Sequence, residues 1–341
     1  MKAAVFYAPG DVRVENIDIP KIGPGELLVQ IKAATTCGTD VKAYRRGHRL
    51  FHPPTPLGHE WAGVVVQVGE GVTRFRVGDR VAGANSAPCG RCYYCKVGQP
   101  QLCDDLLIMF GSFAEYLQVP ARIVEVNTFK LPDHLSFAAA AMIEPLACAV
   151  NGIMESGIRL GDTVAVNGAG PIGLYFVRLA ALRGARVIVT DLSDMRLEVA
   201  ASLGAAEVIN VSRLPDAVRA VRDLTEDGRG VDVAIEAVGL PDTWEKTILM
   251  ARKGGTVNLF GGPKEGTTFT TPTGLVHYNQ LTLKGVFHLT PDTARMAFDL
   301  LANGQVSERP FISGVQPLSQ VVEALEAHAR QEVVKYAIVP D

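Results

Sequence analysis

The feature that most constrains this chain is Gly168-Ala-Gly170-Pro171-Ile172-Gly173, a G-x-G-x-x-G run that follows the valine-rich segment Thr163–Asn167 and opens a helical segment, Ile172–Arg183. Gly168 permits a tight turn, Gly170 lets the backbone approach a pyrophosphate, and Gly173 lets helix and strand pack closely. The helix N-terminus then offers free N–H groups and positive dipole charge to an anion. Asp191 follows 18 residues after Gly173, at the end of the next predicted strand, where a carboxylate accepts hydrogen bonds from ribose hydroxyls and repels a 2′-phosphate. The expectation is a site for NAD rather than NADP, with Pro171, Ile172, Arg196 and Val238 completing the cofactor-binding set.

The motif sits in a matching pattern. From about residue 145, apolar strands (Thr163–Asn167, Arg186–Thr190, Val231–Ala237, Gly255–Phe260) alternate with helical segments (Ile172–Arg183, Asp194–Leu203, Leu214–Leu224, Thr243–Ala251). Unbroken apolar strands are buried on both faces, as in a parallel βαβ sheet. The first third reads differently. Met1–Tyr7, Leu27–Ala33, Ala62–Val68 and Arg80–Ala82 are short strands separated by Gly and Pro, which suggests a closed or partly closed β-barrel. After about residue 289 come a helix (Thr290–Asn303), a polar loop, a second helix (Leu318–Ala329) and a strand (Val333–Val339). Either a third small unit follows the sheet, or the chain returns to the first domain.

Cys89-x-x-Cys92-x-x-Cys95-x7-Cys103 places four of the six cysteines within 15 residues. In a chain of this length with no secretion signal, such a cluster points to metal rather than disulfides. Four thiolates without a histidine suit a closed tetrahedral zinc site that stabilises a loop; an iron–sulfur cluster also suits them. Only Arg91 and Lys96 lie between these cysteines, and the net charge is −3, so neither a nucleic-acid zinc ribbon nor another nucleic-acid role is expected. No apolar run approaches the ~20 residues that span a bilayer. The expectation is a cytoplasmic protein with no membrane or nucleic-acid partner.

Three further segments carry ligand-type residues: Cys37-Gly38-Thr39-Asp40, Gly58-His59-Glu60 and Ile143-Glu144-Pro145-Leu146. Singly, Cys37 reads as a small buried side chain, His59 as a core histidine and Glu144 as an acid at a helix start. Together with Val77-Gly-Asp-Arg-Val81, the cysteine cluster and the glycine run, in this order and spacing, they give a chain that resembles the zinc-dependent medium-chain dehydrogenases, in the sorbitol and L-threonine dehydrogenase branch. The resemblance runs over essentially the whole length. It implies an α/β protein with a GroES-like β-barrel catalytic domain (residues 1–145 and 289–341), an inserted Rossmann doubly wound parallel sheet (146–288) that binds NAD, and an active site in the cleft between them. It also implies two zinc ions per chain and a homotetramer, or otherwise a dimer.

Carried over residue by residue, the resemblance makes Cys37 and His59 ligands of a catalytic zinc. Glu60 and Glu144 are the carboxylates beside it, either of which can ligate directly. Asp40 buttresses the histidine, and Thr39 takes the substrate proton. Cys89, Cys92, Cys95 and Cys103 hold the structural zinc. The implied reaction oxidises a secondary alcohol (polyol, cyclitol, L-threonine or vicinal diol) to a ketone with NAD+. A metal-free quinone or enone reductase of the same superfamily, or a non-catalytic NAD-binding zinc protein, has no use for Cys37 with His59. Two departures bear on the substrate. Lys42 stands where close relatives often carry a relay histidine, and a lysine of pKa near ~10.4 is a poor relay at neutral pH; His48 and His52 are alternative exits. His288 stands where sorbitol dehydrogenases carry an arginine. Tyr44, Phe51, Phe110 and His288 are the expected pocket residues. Cys148, one turn after Glu144, reads as a core residue.

Overall fold

The computed structural model describes all 341 residues. They divide into two compact units, Met1–Ala147 with Leu289–Asp341, and Cys148–His288.

In the first unit the short β segments assemble into a barrel-like set of sheets. The largest has the order Thr128–Lys130, Arg80–Gly83, Trp61–Val68, Leu27–Thr35, Lys335–Val339, Ile312–Pro317, with Tyr116–Val119 also paired to Leu27–Thr35. Alternating apolar residues of these strands, with Phe6, Trp61, Phe113 and Leu325, fill one core. The chain therefore returns to its first domain. The segment expected as a polar loop between the last helices contains the strand Ile312–Pro317, which lies parallel to Lys335–Val339. Its Gly314 and Pro317 mask the strand in the sequence, and an edge position is where a sheet tolerates Pro.

The second unit is a six-stranded, wholly parallel sheet in the order Glu207–Asn210, Arg186–Asp191, Thr163–Asn167, Val231–Glu236, Ala251–Leu259, Thr282–Gly285. The order reverses between Thr163–Asn167 and Val231–Glu236, which is the switch point where open α/β sheets bind ligands. The edge strands Glu207–Asn210 and Thr282–Gly285 are too short and polar to show in the sequence. Helix boundaries move for local reasons. The helix expected over Leu214–Leu224 runs over Ala217–Asp223, because Pro215 keeps Leu214 out of helical conformation and Asp216 caps the N-terminus. The helix expected over Thr243–Ala251 starts at Pro241, a favoured first helical residue, and Ala251 already begins the next strand.

Candidate active site and dinucleotide site

The first site is built where a strand becomes a helix. Leu27–Thr35 ends, and Cys37, in extended conformation, caps the helix Gly38–Arg46. The Cys37 Sγ accepts the Thr39 N–H (3.5 Å), and Asp40, at the third helical position, accepts the Cys37 N–H through Oδ2 (3.2 Å). This is a capping box with a thiol in place of the usual hydroxyl. The other oxygen of Asp40, Oδ1, lies 3.1 Å from His59 Nδ1. One fully buried carboxylate thus ties the Cys37 turn to the His59 loop. It fixes His59 with Nδ1–H donating, which leaves Nε2 as the ligating nitrogen. Burial opposes protonation of His59, but Asp40 and Cys37 beside it raise its pKa well above the ordinary imidazole value. The His59 loop is held by Gly58, whose positive φ of 86° and close approach to Phe113 N leave no room for a Cβ.

The ligand-type atoms of Cys37, His59 and Glu60 all lie within 4.8 Å of one another. A thiol, an imidazole and a carboxylate at that spacing fit a zinc ion with a position left open for substrate. Glu60, however, is engaged from behind. Lys335, fully buried on the last strand, contacts both its oxygens (Nζ–Oε1 2.8 Å, Nζ–Oε2 2.7 Å), and the Thr35 hydroxyl donates to Oε2. Burial disfavours the charged lysine, yet Glu60, Cys37 and Glu144 hold its pKa up. Glu144 is itself buried, in the first turn of the helix Ile143–Ser156. The C-terminal segment braces the Cys37 turn at two more points. Thr36 Oγ1 lies 3.0 Å from His328 Nδ1 and accepts the Tyr336 N–H (3.0 Å). Tyr44, expected in the pocket, turns its hydroxyl to Glu326 (3.1 Å).

Aromatic rings adjoin the histidine. Phe110 lies edge-on to His59 (centroids 6.1 Å), Phe51 against Phe110 (4.2 Å), and His48 edge-on to Phe51 (5.9 Å). Burial, then Lys42, Arg49 and Arg46, lower the pKa of His48.

The four-cysteine lobe is compact and carries no disulfide. Cys92 Sγ lies 3.5 Å from Cys95 Sγ and 3.8 Å from Cys103 Sγ. Tetrahedral bonds of ~2.3 Å to one zinc require sulfurs ~3.8 Å apart. Donation from the Arg91 and Cys92 N–H groups pulls the Cys89 thiol down to about 6, whereas burial and the neighbouring thiols push Cys95 up to about 12. Four sulfurs crowded so that they cannot all ionise are what a dication relieves.

In the second unit the helix Pro171–Leu182 starts after Gly170 with no side-chain cap, leaving its first N–H groups for an anion. A Cβ on Gly173 would stand 1.8 Å from Gly168 O, so the third glycine is obligatory. Asp191 closes the strand Arg186–Asp191; its Oδ2 accepts the Ala169 N–H (2.6 Å) and its Oδ1 the Ser193 N–H (2.9 Å). Arg196 is buried beside this turn with Nε unpartnered. Val238 packs on Gly168, with its Cγ2 only 2.6 Å from where a Gly168 Cβ would be. His288 has a positive φ of 61° and a ring stacked on Phe287. Sequence reasoning missed Lys335, His328 and Glu326, which lie in no motif and reach the site only through sheet pairing or helix packing, and it gave no role to Thr35 and Thr36, which directly precede Cys37.

Comparison with known proteins agrees with this architecture. Residues 23–133 match the model of the alcohol dehydrogenase GroES-like domain, and residues 171–303 that of the zinc-binding dehydrogenases. The chain is 33% identical to sorbitol dehydrogenase of Bacillus subtilis, covering 100% of this chain and 98% of that protein. It is 36% identical to L-threonine 3-dehydrogenase of Pyrococcus horikoshii, over 98% of both. Among solved structures it superposes with a TM-score of 0.91 on an alcohol dehydrogenase from Thermus sp. ATN1 (33% identity, 100% of both chains). It superposes equally well, at 0.91, on a zinc-binding dehydrogenase from Sinorhizobium meliloti bound to NADP (34% identity, 99% of both). The chain belongs to the zinc-dependent medium-chain dehydrogenases, in the branch that holds the sorbitol and L-threonine dehydrogenases.

Proposed function

We propose that the chain oxidises a secondary alcohol to a ketone, with NAD+ as hydride acceptor and one catalytic and one structural zinc per chain. The substrate class is a polyol, a cyclitol, L-threonine or a vicinal diol. The observation that carries this reading is the convergence of Cys37, His59 and Glu60 within 4.8 Å, with Asp40 and Lys335 built around them. A zinc ion held there supplies Lewis acidity toward the substrate hydroxyl. Cys37 and His59 are its ligands. Glu60, which converges with them although Lys335 and Thr35 also hold it, is the third ligand or lies beside it, with Glu144 as the other carboxylate.

Asp40 keeps His59 in its ligating tautomer. The Thr39 hydroxyl takes the proton from the substrate hydroxyl, and His48, whose imidazole is kept neutral, passes it toward solvent in place of Lys42. A nicotinamide held by the dinucleotide site would accept the carbinol hydride, so one alcohol and one NAD+ would give one ketone, one NADH and one proton. Phe51 and Phe110 line the substrate side of the site, and Phe110 keeps water from the His59 side. Tyr44 contributes through its hydroxyl, which donates to Glu326.

Asp191 supports NAD over NADP, although one structural relative is bound to NADP. The strand Thr282–Gly285 is a sheet edge, with Tyr278 and Phe287 exposed nearby, which supports pairing of two copies along it and a homotetramer built from such pairs. Six free cysteines support a reducing, cytoplasmic setting; no helix is long and apolar enough to cross a membrane.

The test is NADH formation over a panel of sugars, polyols, inositols, amino alcohols and diols. Turnover with NAD+ on at least one of these, abolished by chelation and restored by zinc, is expected. Turnover of none, or turnover indifferent to chelation, contradicts the reading.

A further inference from the structure

Glu236 ends the strand Val231–Glu236, is fully buried, and belongs to no motif described above. Its Oε1 accepts three hydrogen bonds: from Val238 N–H (3.0 Å), Gly239 N–H (2.9 Å) and the Thr243 hydroxyl (2.6 Å). Its Oε2 makes no well-formed hydrogen bond; it lies against Gly261, whose N–H faces the carboxyl and where a Cβ would come within 2.4 Å of it. Burial pushes the carboxyl above the usual carboxylate range in spite of those donors. A buried acid with one oxygen held by no well-formed hydrogen bond is a costly way to shape a loop.

The location gives that cost a use. Val231–Glu236 is one of the two strands flanking the switch point, beside the glycine turn that follows Thr163–Asn167. The loop held by Glu236 carries Val238, seated against Gly168. Gly239, at a positive φ of 88°, is pressed so close to Gly262 O that a Cβ would sit 2.7 Å from it. One carboxylate therefore sets the spacing among three loops at the C-terminal edge of the sheet. With the adenosine half of a dinucleotide on the Asp191 side, the other half crosses to this side.

We infer that Glu236 is a positioning residue for the nicotinamide half of the cofactor: by clamping Ala237–Gly239 it holds Val238 at a fixed height over the crevice. This rests on the dinucleotide reading proposed above. The test titrates the full chain with NADH and, separately, with ADP-ribose, which lacks the nicotinamide. Glu236→Ala is expected to weaken NADH about tenfold, the scale of a lost buried charge-assisted contact, while ADP-ribose stays within about twofold. Glu236→Gln keeps the Oε1 acceptor and restores NADH to within about threefold of the unmodified chain. Thr243→Val removes one donor and gives a smaller, equally selective loss, which serves if Glu236→Ala does not fold.

Three results overturn the inference: unchanged NADH affinity in Glu236→Ala or Thr243→Val, equal losses for NADH and ADP-ribose, or Glu236→Gln as defective as Glu236→Ala. If the unmodified chain binds neither ligand, the dinucleotide reading fails with it; if it binds both and only the variants disagree, that reading stands and this inference alone falls.

Discussion

Replacing Lys335 by Met tests the least expected part of the catalytic unit. Lys335 and Glu60 are both fully buried and touch through two contacts of 2.7 and 2.8 Å. Methionine fills much of the lysine stem but leaves Glu60 charged in a dry environment with only the Thr35 hydroxyl. Orphaning a buried charge in this way costs about 3–5 kcal/mol. In a unit of some 200 residues that lowers Tm by roughly 6 to 20 °C. The assay is thermal and urea unfolding under chelation, so that the difference reports the pair and not the metal. The control is the double variant Lys335→Met/Glu60→Gln, which removes the orphaned charge while leaving an acceptor for Thr35. It is expected to recover more than half of the loss. A single variant costing under about 1 kcal/mol, in the range of an exposed ion pair, or a double variant no better than the single, refutes the reasoning.

Two further outcomes are expected. Asp191→Gly with Leu192→Arg removes the carboxylate that repels a 2′-phosphate and adds a cation, so the ratio of kcat/KM for NADP+ to that for NAD+ rises by roughly tenfold or more; an unchanged ratio removes Asp191 from cofactor choice. Asp232 accepts the Thr163 N–H (2.7 Å) and Arg252 Nε (2.6 Å); although burial pushes its pKa up, these contacts win and depress it. A depressed carboxylate stabilises above its unfolded pKa and loses that contribution as pH falls through the folded value. Urea unfolding of Asp232→Asn is therefore expected to show its deficit near about pH 7 and to converge with the unmodified protein toward about pH 3; a deficit that grows on acidification contradicts this.

How far the sequence reached depended on the range of the interaction. The glycine turn, Asp191 and the four-cysteine lobe are local: each is a spacing of donors or of missing side chains, and a spacing is visible in a string of letters. The pairing of Cys37 with His59 needed the resemblance, because the helix Gly38–Arg46 and a loop with the short strand Thr55–Pro56 separate them. Lys335 was not legible at all. It is an ordinary lysine in an apolar run, and only the antiparallel pairing of Ala337 with Thr35 and Ile338 with Ala34 brings it to Glu60. The Tyr44–Glu326 contact was hidden for the same reason, since the two lie 282 residues apart. The strand Ile312–Pro317 was hidden by Gly314 and Pro317, whose local preferences the sheet overrides. Glu236 escaped notice because a buried acid at a strand end looks in sequence like any solvated one.

The most direct test of the whole account is the zinc content per chain of the unmodified protein and of Cys37→Ser, with NADH binding measured on both. About two zinc ions are expected in the first and about one in the second, with NADH affinity unchanged, because the four-cysteine lobe and the dinucleotide turn do not depend on that thiol. An unmodified protein holding one zinc or none, or a Cys37→Ser variant that keeps both and still oxidises substrate, would contradict it.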